Sequence, residues 1–166
     1  MTLTSAAWLA MAAYALHIME EFSFDWRDWA REVIKLPVEW PDFYVTNAVV
    51  VSVGIAQAML AATMPWVPLS FTGLMLINAL FFHIMPMIRT KGRYSPGAAT
   101  AVLLFLPSVA FSWSTALSTG AADVGTIILG VVIGAVLMAY PIAILHLRQR
   151  PYFNQLRAKA PAPSQL

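Results

Sequence analysis

Residues 17–21 read His-Ile-Met-Glu-Glu, and they are where this chain could do chemistry. They close an apolar stretch, residues 3–19, whose other polar side chains of note are Thr4 and Ser5. One imidazole and two carboxylates are costly at the end of such a stretch, and costly polar groups at membrane depth usually have a task. On a helix, His17, Glu20 and Glu21 stand at i, i+3 and i+4. At roughly 100° per residue they share about a quarter to a third of the circumference. One helix end therefore offers three metal ligands or proton carriers to one neighbour, and the remaining chain must supply the other half of a site.

The elements that position these groups belong to a membrane protein. Of 166 residues, 60% are hydrophobic and 11% are charged, with a mean hydropathy of +0.70. A soluble domain carries more than twice that share of charge. The length suits one compact domain. The absence of cysteine excludes disulfides, thiolate metal sites and a thiol nucleophile. A net charge of +2 points to no nucleic acid. A cleavable signal peptide is not expected, because a basic leader is missing and His17, Glu20 and Glu21 occupy the place of a cleavage site.

Five transmembrane helices are expected in an all-α bundle, at about residues 3–22, 43–62, 68–88, 97–117 and 124–146, each near the ~20 residues that cross a bilayer core. Between the first two, residues 22–42 place Trp26, Trp29, Ala30, Val33 and Ile34 on one helical face. Arg27, Asp28, Arg31, Glu32 and Lys35 take the other. This pattern predicts an amphipathic helix in the interface, capped by Asp25 and stopped by Pro37. A kink is expected at Pro107. Residues 1–147 form a single transmembrane domain in this reading, and 148–166 a basic, partly disordered tail. With five spans, all ten Lys and Arg residues fall on one side. The positive-inside rule then sets the N-terminus outside and the C-terminus in the cytoplasm, in a prokaryotic cytoplasmic membrane.

Depth brings further residues to the first span's polar end. Asn47 lies about one turn into the second span from the cytoplasmic side. His83 lies one to two turns from the same side in the third span, with Asn78 a turn deeper. At ~1.5 Å per residue, three spans put their strongly polar groups into one ~10 Å slab. Such groups are least costly when they satisfy each other, so these helix faces should meet. Asn78 and His83 are five residues apart, about 140° on a regular helix. Pro86 lacks the N–H that would bond the carbonyl of Phe82, and a widened turn there would bring the pair together.

The pentapeptide His17-Ile18-Met19-Glu20-Glu21 resembles the signature of the HXXEE family of small, multi-spanning membrane proteins. Asn78…His83, and Tyr94-Ser95-Pro96-Gly97 with Thr100 beyond it, are similar to other recurrent segments of that family. The resemblance covers roughly residues 8–107. It implies site residues and no reaction, since the family has no well-established activity.

Several readings fit these residues. A metal centre takes His17, Glu20 and His83 as ligands, Glu21 as base or further ligand, and Asn47 and Asn78 as orienting groups. Zinc fits a two-His, one-Glu set, and iron or manganese fits a carboxylate site in a helical bundle. The bound divalent ion would activate water against a lipid or other hydrophobic substrate, a hydrolase-like reaction. Without metal, a protonated glutamate and a histidine would form an acid–base pair able to isomerise or cyclise an isoprenoid-like molecule. As a transporter or binding protein for an ion or small molecule, five spans without a repeat would need a homo-oligomer. The plainest alternative makes Glu20 and Glu21 interfacial and both histidines packing groups.

Tyr94 could donate to a substrate oxygen, while Ser95-Pro96-Gly97 shapes a turn. His146 reads as an interfacial cation at a helix C-terminus rather than a third ligand. Met85 and Met87 beside His83 admit a copper reading that two thioethers hardly carry. Ser112 and Ser114 have no basic partner at their depth.

Overall fold

A computed structural model describes residues 2–153. Expectations for residues 154–166 of the tail lie outside the described residues. Among the described residues every regular element is a helix.

Helix α1, Leu3–Ser23, starts where the Thr2 hydroxyl accepts from the Ser5 amide at 3.2 Å, a side-chain cap on an orphan donor. Among its buried positions, Leu3, Ala7, Ala10, Tyr14, His17 and Glu21 follow one another three or four residues apart. That spacing makes one stripe, alanine-lined at the start and ionisable at the end. Small residues let α1 sit close against its neighbours. It packs mainly on α3, Trp40–Leu60, and on α5, Ala98–Ser118.

The short α2, Trp26–Val33, follows α1 directly. It differs from the expected interfacial helix in three ways. Its apolar face is covered by protein: Trp26, Trp29 and Ala30 are buried with Leu36, Val38, Phe43 and Leu145. Asp25 gives no side-chain cap and sits at φ 55° in the left-handed region. The helix also ends well before Pro37, because Lys35 adopts φ 57° and the Leu36 amide turns back to the carbonyl of Ala30 at 3.1 Å. A left-handed residue with such a back-bond is how many helices stop. Outward, Arg27 and Arg31 pair with Glu39, and Arg93 grips Glu32 through two bonds of 2.9 and 2.6 Å.

Helix α3 opens with a reciprocal capping box between Glu39 and Asp42. Helix α4 runs Trp66–Arg89, and α6, Val124–Arg148, starts where Asp123 accepts from the Thr126 amide at 2.8 Å. Two of these rods are not regular. α4 contains a π-helical segment, Ala79–Ile84, and α5 another, Ala101–Phe105. Each ends two residues before a proline, Pro86 or Pro107. Proline cannot donate to the carbonyl four residues back and its ring crowds that carbonyl, so the preceding turn widens. At Pro107, the place of the expected kink, the helix carries this widened turn.

Helices α3, α4, α5 and α6 are long and apolar enough to cross a membrane: four, not the five expected. α1 has the length, but its alanines and its terminal His17, Glu20 and Glu21 leave it less apolar than the rest. α4 and α6 make the most extensive contact in the bundle. Gly73, Gly130 and Gly134 let their backbones touch there.

Candidate functional site

His17 extends the buried stripe of α1, and Glu21 lies one turn later on the same line. His83 comes from the π-helical segment of α4. All three are buried, both imidazoles completely. Glu21 Oε1 stands 3.4 Å from His17 Nε2 and 3.5 Å from His83 Nε2. The rings meet edge-on with centroids 4.8 Å apart, and Phe105 lies against the His17 ring at 4.3 Å. One ligand atom from each residue falls within 4.8 Å of the others, so the group could hold a metal ion.

The other ring nitrogens are held from behind. His17 Nδ1 bonds Thr100 Oγ1 at 2.8 Å, and His83 Nδ1 bonds Ser95 Oγ at 3.1 Å. Each hydroxyl spends its own proton on a carbonyl: Thr100 on Gly97 at 3.1 Å, Ser95 on Phe82 at 3.2 Å. With those protons on the carbonyls, both hydroxyls accept from an Nδ1–H, and a lone pair is left on each Nε2. Neither Nε2 has a hydrogen-bond partner. Two lone pairs and a carboxylate oxygen converging without a donor repel one another unless something positive lies between them. Second-sphere partners on the far ring nitrogen are also what metal-ligating imidazoles usually carry.

The segment joining α4 to α5 closes over the rings. Gly97, at φ 94°, approaches so near that a Cβ would lie 2.6 Å from the His83 ring, 2.7 Å from that of His17 and 3.0 Å from Glu21 Cγ. Only glycine satisfies both the backbone conformation and that contact.

Glu20 turns away from the triad to this segment. Its carboxylate accepts from the amides of Gly97 at 3.0 Å, Ala99 at 3.1 Å and Thr100 at 2.7 Å, and from the Tyr94 hydroxyl. These amides are the orphan donors at the start of α5, which favour an anion. Tyr94 thus binds Glu20, and its hydroxyl pKa is pushed up to about 12 by burial and by that bond.

Asn47 and Asn78 are not among the hydrogen-bond partners of the imidazoles. With Glu21 and Tyr14 they line a cavity of about 80 Å³ on the triad's inner side, and Asn78 Oδ1 is buried without a partner. The widened turn at residues 79–84 carries His83 into the site while Asn78 faces the cavity beside it. His146 is apart, bonded to the carbonyl of Ile142 at 2.8 Å. Ser112 is buried and alone. Sequence reasoning had weighed Ser95, Gly97 and Thr100 only as a turn and a resemblance, not as the groups that fix the rings. Their signal was a Ser-Pro-Gly turn at the depth of His83, with a threonine one turn further on.

Fold and site together define a class: an all-helical bundle of membrane-spanning proportions with two histidines and a glutamate buried in its interior. The chain belongs to the HXXEE family, described as protein of unknown function with HXXEE motif, whose model matches residues 8–112. Every residue of the triad and of the segment over it falls inside that match. No curated protein and no solved structure matches the chain.

Proposed function

We propose that this protein is a membrane-embedded, metal-dependent enzyme acting on a lipid or other hydrophobic substrate. The observation that carries the reading is the pair of partnerless Nε2 atoms facing one carboxylate, with both Nδ1 atoms held by hydroxyls. Ligands ~2.0–2.1 Å from a tetrahedral zinc ion are ~3.4 Å apart. The two Nε2–Oε1 separations, 3.4 and 3.5 Å, fit that spacing and are long for direct hydrogen bonds, while the widest pair in the group, up to 4.8 Å apart, would have to draw in to share one ion. His17, His83 and Glu21 would hold the ion, leaving a fourth position for substrate or water. When bound, a zinc-like ion polarises a carbonyl and acidifies water. Glu20 is committed to four donors, so it holds the segment over the rings rather than acting as base. Asn78 and Asn47 would orient the substrate from the adjoining cavity.

In this reading α1 crosses the membrane beside the four apolar helices, which screen its polar end from lipid. The site then opens on the side that carries the Lys and Arg residues, the cytoplasmic one. Metal-free acid–base chemistry is favoured by one feature of the same geometry. A proton on Glu21, shared with an imidazole, would also separate the facing lone pairs.

Elemental analysis of detergent-purified protein after metal-replete preparation separates the two. About one equivalent of divalent metal is expected in wild type and in His146→Ala, and less than a tenth of that in His17→Ala, His83→Ala and Glu21→Gln. Metal-free wild type would overturn the metal reading in favour of the proton.

A further inference from the structure

We propose that the cleft between α3 and α6 is a lateral entry for a single-chain lipid with a small, uncharged, carbonyl-bearing head. The proposal rests on the site reading above. α3 leans on α1 and α6 leans on α4, which leaves the two apart. Between them runs a groove of about 480 Å³, walled by Val45, Val49 and Val53 on one side and Leu137, Tyr140 and Ile144 on the other. Its volume is that of a small-molecule site. From Asp42 to Val53 the α3 wall rises ~16 Å, at ~1.5 Å per residue, room for one extended chain.

The groove adjoins the cavity beside the triad. Val50, Leu74, Leu137 and Pro141 belong both to its walls and to those of the cavity holding Glu21, Asn47 and Asn78. A chain lying in the groove would carry its head into that cavity. About 80 Å³ is space for roughly two or three waters, counting ~30 Å³ for each, so the head is of ester or amide size. Charge narrows the class further. No Lys or Arg lines the cavity, while Glu21 and Asp42 do. The groove's own cation, Arg148, is already paired with Asp42, one bond measuring 2.9 Å. A phosphate head would meet carboxylates and no free cation. Asn78 lines the cavity, and its Nδ2 can donate to the carbonyl oxygen of a neutral head, while its partnerless Oδ1 can accept from an amide N–H.

The test is photolabelling of full-length protein in lipid vesicles by a long-chain methyl ester bearing a mid-chain diazirine, mapped by peptide mass spectrometry. An alkyl phosphate with the same diazirine is the comparator. Expected are ester adducts on the groove walls, displaced by unlabelled methyl ester but not by diacyl phosphatidylcholine. They should fall at least tenfold in Val49→Trp/Ile144→Trp, with metal content unchanged. Val45→Trp, at an exposed position, serves should the double variant fail to fold. Labelling that ignores these plugs, equal labelling by the phosphate, or displacement by the diacyl lipid would each overturn the proposal. Groove labelling on wild type that contains no metal would uphold the entry and sink only the metal reading. A full metal complement without groove adducts would do the reverse.

Discussion

The two halves of α4 follow opposite rules. Its first half, ahead of the π-helical segment, is regular and rests on α6 backbone to backbone. A Cβ on Gly73 would lie 2.6 Å from the carbonyl oxygen of Gly130, and one on Gly134 would lie 2.8 Å from that of Ser70. Polar side chains there are satisfied, Ser70 donating to the carbonyl of Trp66 at 2.8 Å and Thr72 to that of Pro68 at 3.1 Å while accepting from Trp113 Nε1 at 3.1 Å. The second half is widened, contains Pro86, and buries an imidazole whose Nε2 has no donor or acceptor. In lipid, helices gain little from apolar contact and associate through close packing of small residues. The glycine seam holds the rod, which frees its other end to carry groups that do not satisfy one another.

Breaking the polar end should have the largest effect. Gly97→Ala forces a side chain against both imidazoles and into a left-handed backbone worth about 1–3 kcal/mol of strain, so loss of bound metal is expected together with a lower melting temperature. Gly92 has nearly the same φ, 97°, with nothing within 4 Å. Gly92→Ala should therefore show the strain alone and keep its metal. Equal metal retention in the two variants would mean that the segment over the rings does not shape the site.

The seam is tested by Gly134→Ala, whose added methyl meets backbone that cannot rotate away. Overpacking of about 1–3 kcal/mol is expected, read as a lower thermal midpoint, with full metal stoichiometry in the protein that remains folded. Should metal be lost while stability holds, the two halves are not independent.

The smallest effect belongs to the rim. Tyr94→Phe removes a hydroxyl that donates to Glu20, on the order of 1 kcal/mol. The folded pKa of Tyr94, about 12, lies above the ordinary value near 10. Its stabilisation is thus complete below pH ~10 and lost as pH rises through ~12. Melting curves of the two proteins should stay apart at neutral pH and converge in strong alkali. Melting curves that stay apart in strong alkali would show that the bond to Glu20 is not what Tyr94 contributes.

Much of the site could be read before any fold was known. The i, i+4 spacing puts His17 and Glu21 on one face, and the depth of His83 and Asn47 points to the same end of the bundle. Pro86 announces the widened turn. What spacing left open was the choice between two adjacent carboxylates. Glu20 and Glu21 differ by one helical step, and each lies within a turn of His17. Glu21 continues the line of Ala10, Tyr14 and His17 that packs inward, while Glu20 falls beside it and meets the start of α5. Hydropathy likewise exposed α2, because a window average cannot know that Trp26 and Trp29 have Phe43 and Leu145 to pack on.

The linear chain by itself determined that this protein is helical and apolar, and that its ionisable groups gather at one depth. Those properties follow from composition and period alone. Only the tertiary structure decided which carboxylate faces the imidazoles, how Ser95 and Thr100 set their tautomers, and why residue 97 is glycine. Each of these depends on contacts between residues about 12 to 83 positions apart, and no local pattern encodes the rotation of one helix against another.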